Sequence, residues 1–218
     1  MAGKDLVIES PQGPSLEALF HPREGEKGVV VTHPHPLYGG DMYNNVVEAV
    51  TRAYQEMGYS TLRFNFRGVG NSRGRYGGGR GEKEDVKAAL GYLSGQGKTR
   101  IDLAGYSFGV WVNMLGLKDL VAAQRLVMVS PPVGFMDFSF LGYCSKLSLV
   151  ITGSEDDIAP RAMLEKMVPR WNPEAIFKTV QGADHFYWGK TTEIEAIIRD
   201  FLQGNQAPSP ITPGTADI

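Results

Sequence analysis

Arg100-Ile-Asp-Leu-Ala104, Gly105-Tyr-Ser-Phe-Gly109 and Val110-Trp-Val-Asn-Met-Leu-Gly-Leu117 follow one another without a break, and their reading decides the fold. The first is a short apolar strand, the last a helix, and the pentapeptide between them a Gly-x-Ser-x-Gly nucleophile elbow. In such an elbow the serine sits on a cramped strand-to-helix turn, so the residues two before and two after it must lack bulk. Both are glycine. The turn lifts the Ser107 hydroxyl above the sheet, and the following helix aims its N-terminus at charge that develops during acyl transfer.

The same five residues also occur in ordinary turns, so the rest of the chain must carry the reading. Acyl transfer on serine needs a general base, an acid to orient it and a second backbone donor for an oxyanion, each at a strand end. Of the four histidines, His21 belongs to the N-terminal hairpin and His33 and His35 follow an early strand, whereas His185 follows the last strand candidate in Gly182-Ala-Asp-His-Phe186. His185 is the base expected, because loops at the carboxyl ends of parallel strands share one rim. The acid is expected in Gly153-Ser-Glu-Asp-Asp-Ile-Ala-Pro160, where Gly153 allows a sharp exit and Pro160 suits the first turn of a helix. Asp156 is the choice there. Glu155 and Asp157 read more simply as solvated charges and Asp184 as a turn-former, although spacing alone separates Asp156 from Asp157 poorly.

The oxyanion hole is expected from the backbone N–H of Phe108 and one donor in His33-Pro-His-Pro-Leu-Tyr-Gly-Gly40. Pro34 and Pro36 have no N–H, which leaves His35 first and Leu37 next. The rival reading of His33-x-His35 as a metal pair, joined by Asp41, has no further ligand cluster behind it, and no metal or cofactor is expected.

Outward from the elbow, strand and helix patterns alternate. Gly28–Thr32 precedes Asn45–Met57, Tyr59–Phe66 precedes Glu82–Leu93, and Arg125–Val129, Leu147–Thr152, Ala162–Val168, Ala175–Val180 and Glu193–Leu202 continue the series. Repetition of this kind predicts a mainly parallel sheet covered by helices on both faces, after an antiparallel hairpin formed by residues 6–8 and 16–20 around Pro11-Gln-Gly-Pro14. Residues 1–203 are expected to form one domain and 204–218, rich in Pro, Gly, Ser and Thr, a disordered tail. Fewer than about twenty residues separate Val129 from Leu147, too few for a large lid. That connection is nonetheless dense in Val133, Phe135, Met136, Phe138, Phe140 and Leu141. It reads as a short helix packed on the core, as an acyl-binding wall over Ser107, or as both. Leu37, Tyr38, Phe135 and Phe138 are the candidate substrate contacts.

The ordered set His33–Gly40, Arg63-Phe-Asn-Phe-Arg-Gly-Val-Gly70, Gly105–Gly109, Gly153–Asp156 and Gly182–His185 resembles the α/β-hydrolase superfamily over nearly the whole chain except the tail. It looks most like the small, lidless, dienelactone hydrolase-like bacterial members. That resemblance implies an eight-stranded, mostly parallel sheet and a Ser107, Asp156, His185 triad, and it favours Asp156 because family acids commonly stand three residues after the strand-ending Gly. The superfamily often has His-Gly where this chain has His33-Pro34. The serine replaces the cysteine of dienelactone hydrolases proper, so their substrate does not carry over.

Other features bound the function. In the Gly-rich loop after Phe66, Arg67, Arg73, Arg75 and Arg80 could clamp an anionic substrate such as an acyl-coenzyme A, but the simpler reading is a solvated loop in which Arg67 pins local backbone. Gly68-Val-Gly-Asn-Ser-Arg-Gly74 is a poor dinucleotide fingerprint, its last Gly one residue late. With 218 residues, a formal charge of −2 and a pI near 6.1, the chain has no pull toward nucleic acid. Neither an apolar leader nor a membrane-length run is present, and the single cysteine, Cys144, suits a reducing compartment, so a cytoplasmic location is expected. The function expected is a serine hydrolase acting on a small acyl ester or thioester. The alternatives are an acyltransferase or peptidase on the same triad, or a binding or scaffold protein with negligible turnover.

Overall fold

The computed structural model describes residues 3–10 and 13–204, so the expected tail beyond Gly204 and the Pro11-Gln12 part of the hairpin turn lie outside the described residues. Among the described residues eight strands form one sheet: β1 (Lys4–Ile8), β2 (Leu16–His21), β3 (Lys27–Thr32), β4 (Ser60–Phe64), β5 (Arg100–Tyr106), β6 (Ala123–Val129), β7 (Leu147–Gly153) and β8 (Ile176–Val180). Their spatial order is β1-β2-β4-β3-β5-β6-β7-β8. The β1–β2 and β2–β4 pairs are antiparallel, and every pair from β4–β3 onward is parallel. Five helices cover the sheet: α1 (Asn45–Glu56), α2 (Glu82–Gly95), α3 (Phe108–Leu115), α4 (Arg161–Trp171) and α5 (Thr191–Leu202).

The two-residue period of the strands divides their apolar side chains between two cores. Val29 and Val31 of β3, Ala104 and Tyr106 of β5, and Val127 and Val129 of β6 pack with α1 and α5. Their alternates Val30, Leu103, Leu126 and Met128 pack with α2, α3 and α4 on the other face. Strands buried on both faces cannot show a polar alternation, which is why Val29-Val-Val31 is apolar throughout. Helix α1 starts where the Asn44 side chain accepts from the Val46 N–H at 3.0 Å. It buries Val46, Val47, Val50, Ala53 and Tyr54 along one side.

The β6–β7 connection, residues 130–146, contains turns and no helix, so nothing resembling a lid rises from it. The short helix expected there does not form. Asp137 instead draws the chain into a turn by accepting from the Ser139 N–H at 2.8 Å. Helix α3 begins two residues earlier than expected, at Phe108, because Ser107 itself serves as its N-cap. Among the described residues no helix is long and apolar enough to cross a membrane.

Candidate active site

Ser107 occupies the single residue between β5 and α3 with φ 54° and ψ −119°, a left-handed conformation costly for a side chain bearing Cβ. The flanking glycines are forced by the neighbouring strand. A Cβ on Gly105 would lie 2.7 Å from Thr32 Oγ1, and one on Gly109 2.6 Å from the same oxygen. The parallel β3–β5 pair therefore presses against the elbow from one side, and Ser107 is 8% exposed.

His185 lies on the turn after β8. Asp184 Oδ1 accepts from the N–H groups of Phe186 and Tyr187 at 3.0 and 2.9 Å, the turn-forming role expected of it. His185 Nε2 is 2.9 Å from Ser107 Oγ, and its Nδ1 is 2.9 Å from both oxygens of Asp156. The structure thus brings Ser107, Asp156 and His185 together from strand ends 29 and 78 residues distant from the histidine in sequence. Glu155 and Asp157 face solvent, whereas Asp156 is 4% exposed. Burial works against the Asp156 charge, but hydrogen bonds from His185, Ser130 and the Ala159 N–H outweigh it and hold the carboxyl below its ordinary value. An ionised carboxylate only accepts, so Nδ1 carries the imidazole proton and Nε2 presents its lone pair to the Ser107 hydroxyl.

The loop after β3 sorts its histidines by the same accounting. His33 is fully buried, its Nδ1 2.7 Å from the Pro34 carbonyl and its Nε2 accepting from the Phe66 N–H at 2.9 Å. Both nitrogens are committed, so His33 is a strut between β3 and β4 and has no lone pair for a metal. Burial lowers its pKa to about 4, which keeps it neutral. His35 caps a short 3-10 turn over Pro36–Tyr38, its Nδ1 accepting from the Leu37 N–H at 3.2 Å. That bond uses the Leu37 donor. No described group accepts from the backbone N–H of Phe108 or His35.

A cavity of about 550 Å³ opens over Ser107 and His185, lined by Tyr38, Phe108, Phe135, Met136, Ile158 and Phe186 among others. The Tyr38 and Phe135 rings stand 6.5 Å apart at its mouth, edge to face. Two of the expected contacts fall elsewhere. Phe138 is 3% exposed, wedged between Phe140 and Trp171 beneath the connection, and Leu37 projects into solvent at 66% exposure. Both are apolar and near the right strand ends, and an irregular loop gives no period from which to read inward or outward.

The Gly-rich loop reaches the site by a residue the sequence did not flag. Arg67 is tied to Asp85 at 2.7 Å and pins the start of α2, and no arginine of the loop lines the cavity. Tyr76 instead packs its ring against His35 and Phe108, with its hydroxyl 3.2 Å from His35 Nε2. Three further polar residues went unread: Tyr106, which donates to the His185 carbonyl at 2.6 Å; Ser130, which donates to Asp156 Oδ2 at 2.6 Å; and Tyr187, 2.7 Å from Ser130 Oγ. A usable signal existed for Ser130, which directly follows β6 at the rim that carries Ser107.

No protein-family model matches the chain. An uncharacterised protein of Rickettsia prowazekii is 36% identical over 183 residues, spanning 79% of this chain and 77% of that one. The solved structure of an α/β serine hydrolase homologue from Coxiella burnetii is 34% identical, with a TM-score of 0.83 over 95% of this chain and 99% of that one. A lidless α/β serine hydrolase from Xanthomonas campestris is 28% identical at the same TM-score of 0.83, over 96% and 98% of the two chains. The strand order, the strained serine at the elbow and these likenesses over the full length agree, and the chain belongs to the α/β-hydrolase superfamily.

Proposed function

We propose that this hydrolase cleaves a small, uncharged acyl ester or thioester through an acyl-enzyme, with Ser107 as nucleophile, His185 as base and Asp156 as the acid behind it. The observation that carries this reading is the 2.9 Å approach of His185 Nε2 to Ser107 Oγ at the floor of the apolar cavity. Ser107 attacks the carbonyl carbon as its proton passes to Nε2, and Asp156 supports the imidazolium that forms. The free N–H groups of Phe108 and His35 are assigned to the oxyanion, on the N-terminal side of α3. Protonated His185 returns the proton to the departing alcohol or thiol, and water, activated by the same nitrogen, releases the acid.

An uncharged substrate is assigned because the cavity lining carries aromatic and aliphatic side chains and no Arg or Lys, while Arg67 is already neutralised by Asp85. An acyl-coenzyme A would find no cation there for its phosphates. The buried free thiol of Cys144 fits the reducing, cytoplasmic setting expected from the sequence. The test is hydrolysis of p-nitrophenyl acyl esters by wild type and Ser107→Ala, with labelling by a fluorophosphonate. Turnover should fall roughly a millionfold in the variant and the label should sit on Ser107. Equal rates in the two proteins would end the proposal, and a folded wild type inert to the probe would favour a binding role.

A further inference from the structure

The hydrogen-bond chain that begins at Ser107 does not stop at Asp156. Its carboxylate accepts from Ser130 Oγ at 2.6 Å, and Ser130 Oγ lies 2.7 Å from the Tyr187 hydroxyl. The single Ser130 proton is committed to an acceptor-only carboxylate, so Tyr187 must be the donor in the second bond. The run is therefore directional: Tyr187 O–H to Ser130 Oγ, Ser130 O–H to Asp156 Oδ2, and His185 Nδ1–H to Asp156. Because Tyr187 stands two residues after His185 on the same turn, the run closes into a ring that grips Asp156 from both sides.

Backbone conformation marks the same residues. Among the described residues, the non-glycine residues with positive φ are Ser107 at 54°, Ser130 at 46° and Tyr187 at 54°, and all three belong to this one network. Left-handed backbone at a serine and a tyrosine persists only where the surroundings over-determine it. Ser130 and Tyr187 are both 0% exposed. Neither hydroxyl can reach the cavity, whose lining contains neither residue. Their placement serves the acid.

Resting on the hydrolytic reading above, we infer that Ser130 and Tyr187 are positioning residues that hold Asp156 in line with His185 and temper its charge. Asp156 Oδ1 is already held by the N–H groups of Ile158 and Ala159 at 3.0 and 2.7 Å. Among the described residues Ser130 is thus the only group besides the imidazole that fixes Oδ2. Without it the carboxylate can rotate about the bonds to Oδ1, and its undiluted charge stabilises the imidazolium more strongly. The other ionisable groups around the pair, Tyr106 and Asp184 from β5 and the β8 turn, are unaltered by that change and do not supply a replacement donor to Oδ2.

The experiment compares wild type, Ser130→Gly and Tyr187→Phe. Glycine removes the hydroxyl and relieves the positive φ but leaves the buried Tyr187 hydroxyl without its acceptor, so kinetics are read per folded molecule with Tm measured alongside. For Ser130→Gly, kcat should fall about tenfold to a hundredfold, KM should stay within about twofold, and the acid limb of the kcat/KM pH profile should move to higher pH. Tyr187→Phe should shift both in the same direction by less. The low-field proton of His185 Nδ1 should move in the NMR spectrum of Ser130→Gly, a readout that needs no turnover. An active, Ser107-dependent wild type whose variants keep kcat, pH profile and low-field proton would overturn the inference alone. Loss of Tm with an unchanged pH profile would reduce both residues to packing, and a wild type without Ser107-dependent turnover would remove the reading on which the inference rests.

Discussion

Two aspartates, 3% and 4% exposed, sit at opposite ends of the central strands and meet different partners. Near the start of β5, Asp102 faces Arg125 of β6 in a two-point contact, Nε to Oδ1 at 3.0 Å and Nη2 to Oδ2 at 2.7 Å, with the Tyr59 hydroxyl on the same guanidinium. Burial disfavours the Arg125 charge, and Asp102 outweighs it, holding the guanidinium above its ordinary range. Beyond the ends of β7 and β8, Asp156 faces His185 in equally short contacts. Arginine keeps its proton at any ordinary pH and has no acceptor, so the lower pair stores charge and can pass nothing on. Imidazole has a second nitrogen with a lone pair, which on the proposed mechanism carries the influence of Asp156 to Ser107. Two buried carboxylates thus differ in use because of what their partner can release. The strained residues follow the same division, since Ser107, Ser130 and Tyr187 all lie in the upper network.

Removing one carboxylate charge at each end should break the comparison most sharply. On the proposed mechanism Asp156→Asn lowers kcat roughly ten-thousandfold, because the amide holds the wrong imidazole tautomer while packing persists. Stopped or steady-state assays of an acyl ester with matched far-ultraviolet spectra would check this, and a variant within tenfold of wild type would show that Asp156 is not the acid. Asp102→Asn should leave the rate per folded molecule nearly unchanged and cost stability instead. We expect about 2 kcal/mol by urea unfolding, the low side for a broken buried pair because the Arg125 side chain is 35% exposed. A large activity loss in the folded Asp102→Asn protein would dissolve the distinction between the two ends.

Acid should separate two further groups by pH window. His33 is held at about 4 in the folded chain by burial, against about 6.5 when unfolded. Between those values the unfolded state binds more protons, so the His33 contribution to stability declines as pH falls from about 6.5 to about 4 and is constant below. The loss amounts to about 3 kcal/mol, readable as a falling urea midpoint, and a flat midpoint over that window would mean that His33 is charged in place. Asp156, held low, contributes in the next window down. Its stabilisation is present above the unfolded carboxyl value near 3.9 and lost as pH falls through the folded one, so Asp156→Asn should keep the first decline and lack the second.

The order of elements was legible because a parallel sheet buried on both faces writes itself as short apolar runs, and because each helix carries one apolar side. The elbow was legible because close approach to β3 admits only glycine at positions 105 and 109. The strand-end position of His185 is legible in the sequence, and the structure sets it beside Ser107. Phe138 and the helix expected around it share one reason: an irregular connection has no period, and Asp137 turns the chain there. Ser130 is marked in the sequence by its place directly after β6, at the rim that carries Ser107, whereas Tyr187, two residues past a histidine, has no local signature.

The amino-acid sequence by itself determined which residue types stand at the ends of which strands, since periodicity and glycine placement are local constraints. The tertiary structure alone decided their partners: which of Asp156 and Asp157 is buried, which nitrogens of His33 and His35 are spent, and that Tyr187 reaches Asp156 through Ser130. Hydrogen bonds between residues 26 to 78 positions apart depend on where whole strands come to rest, and no window along the chain contains that information.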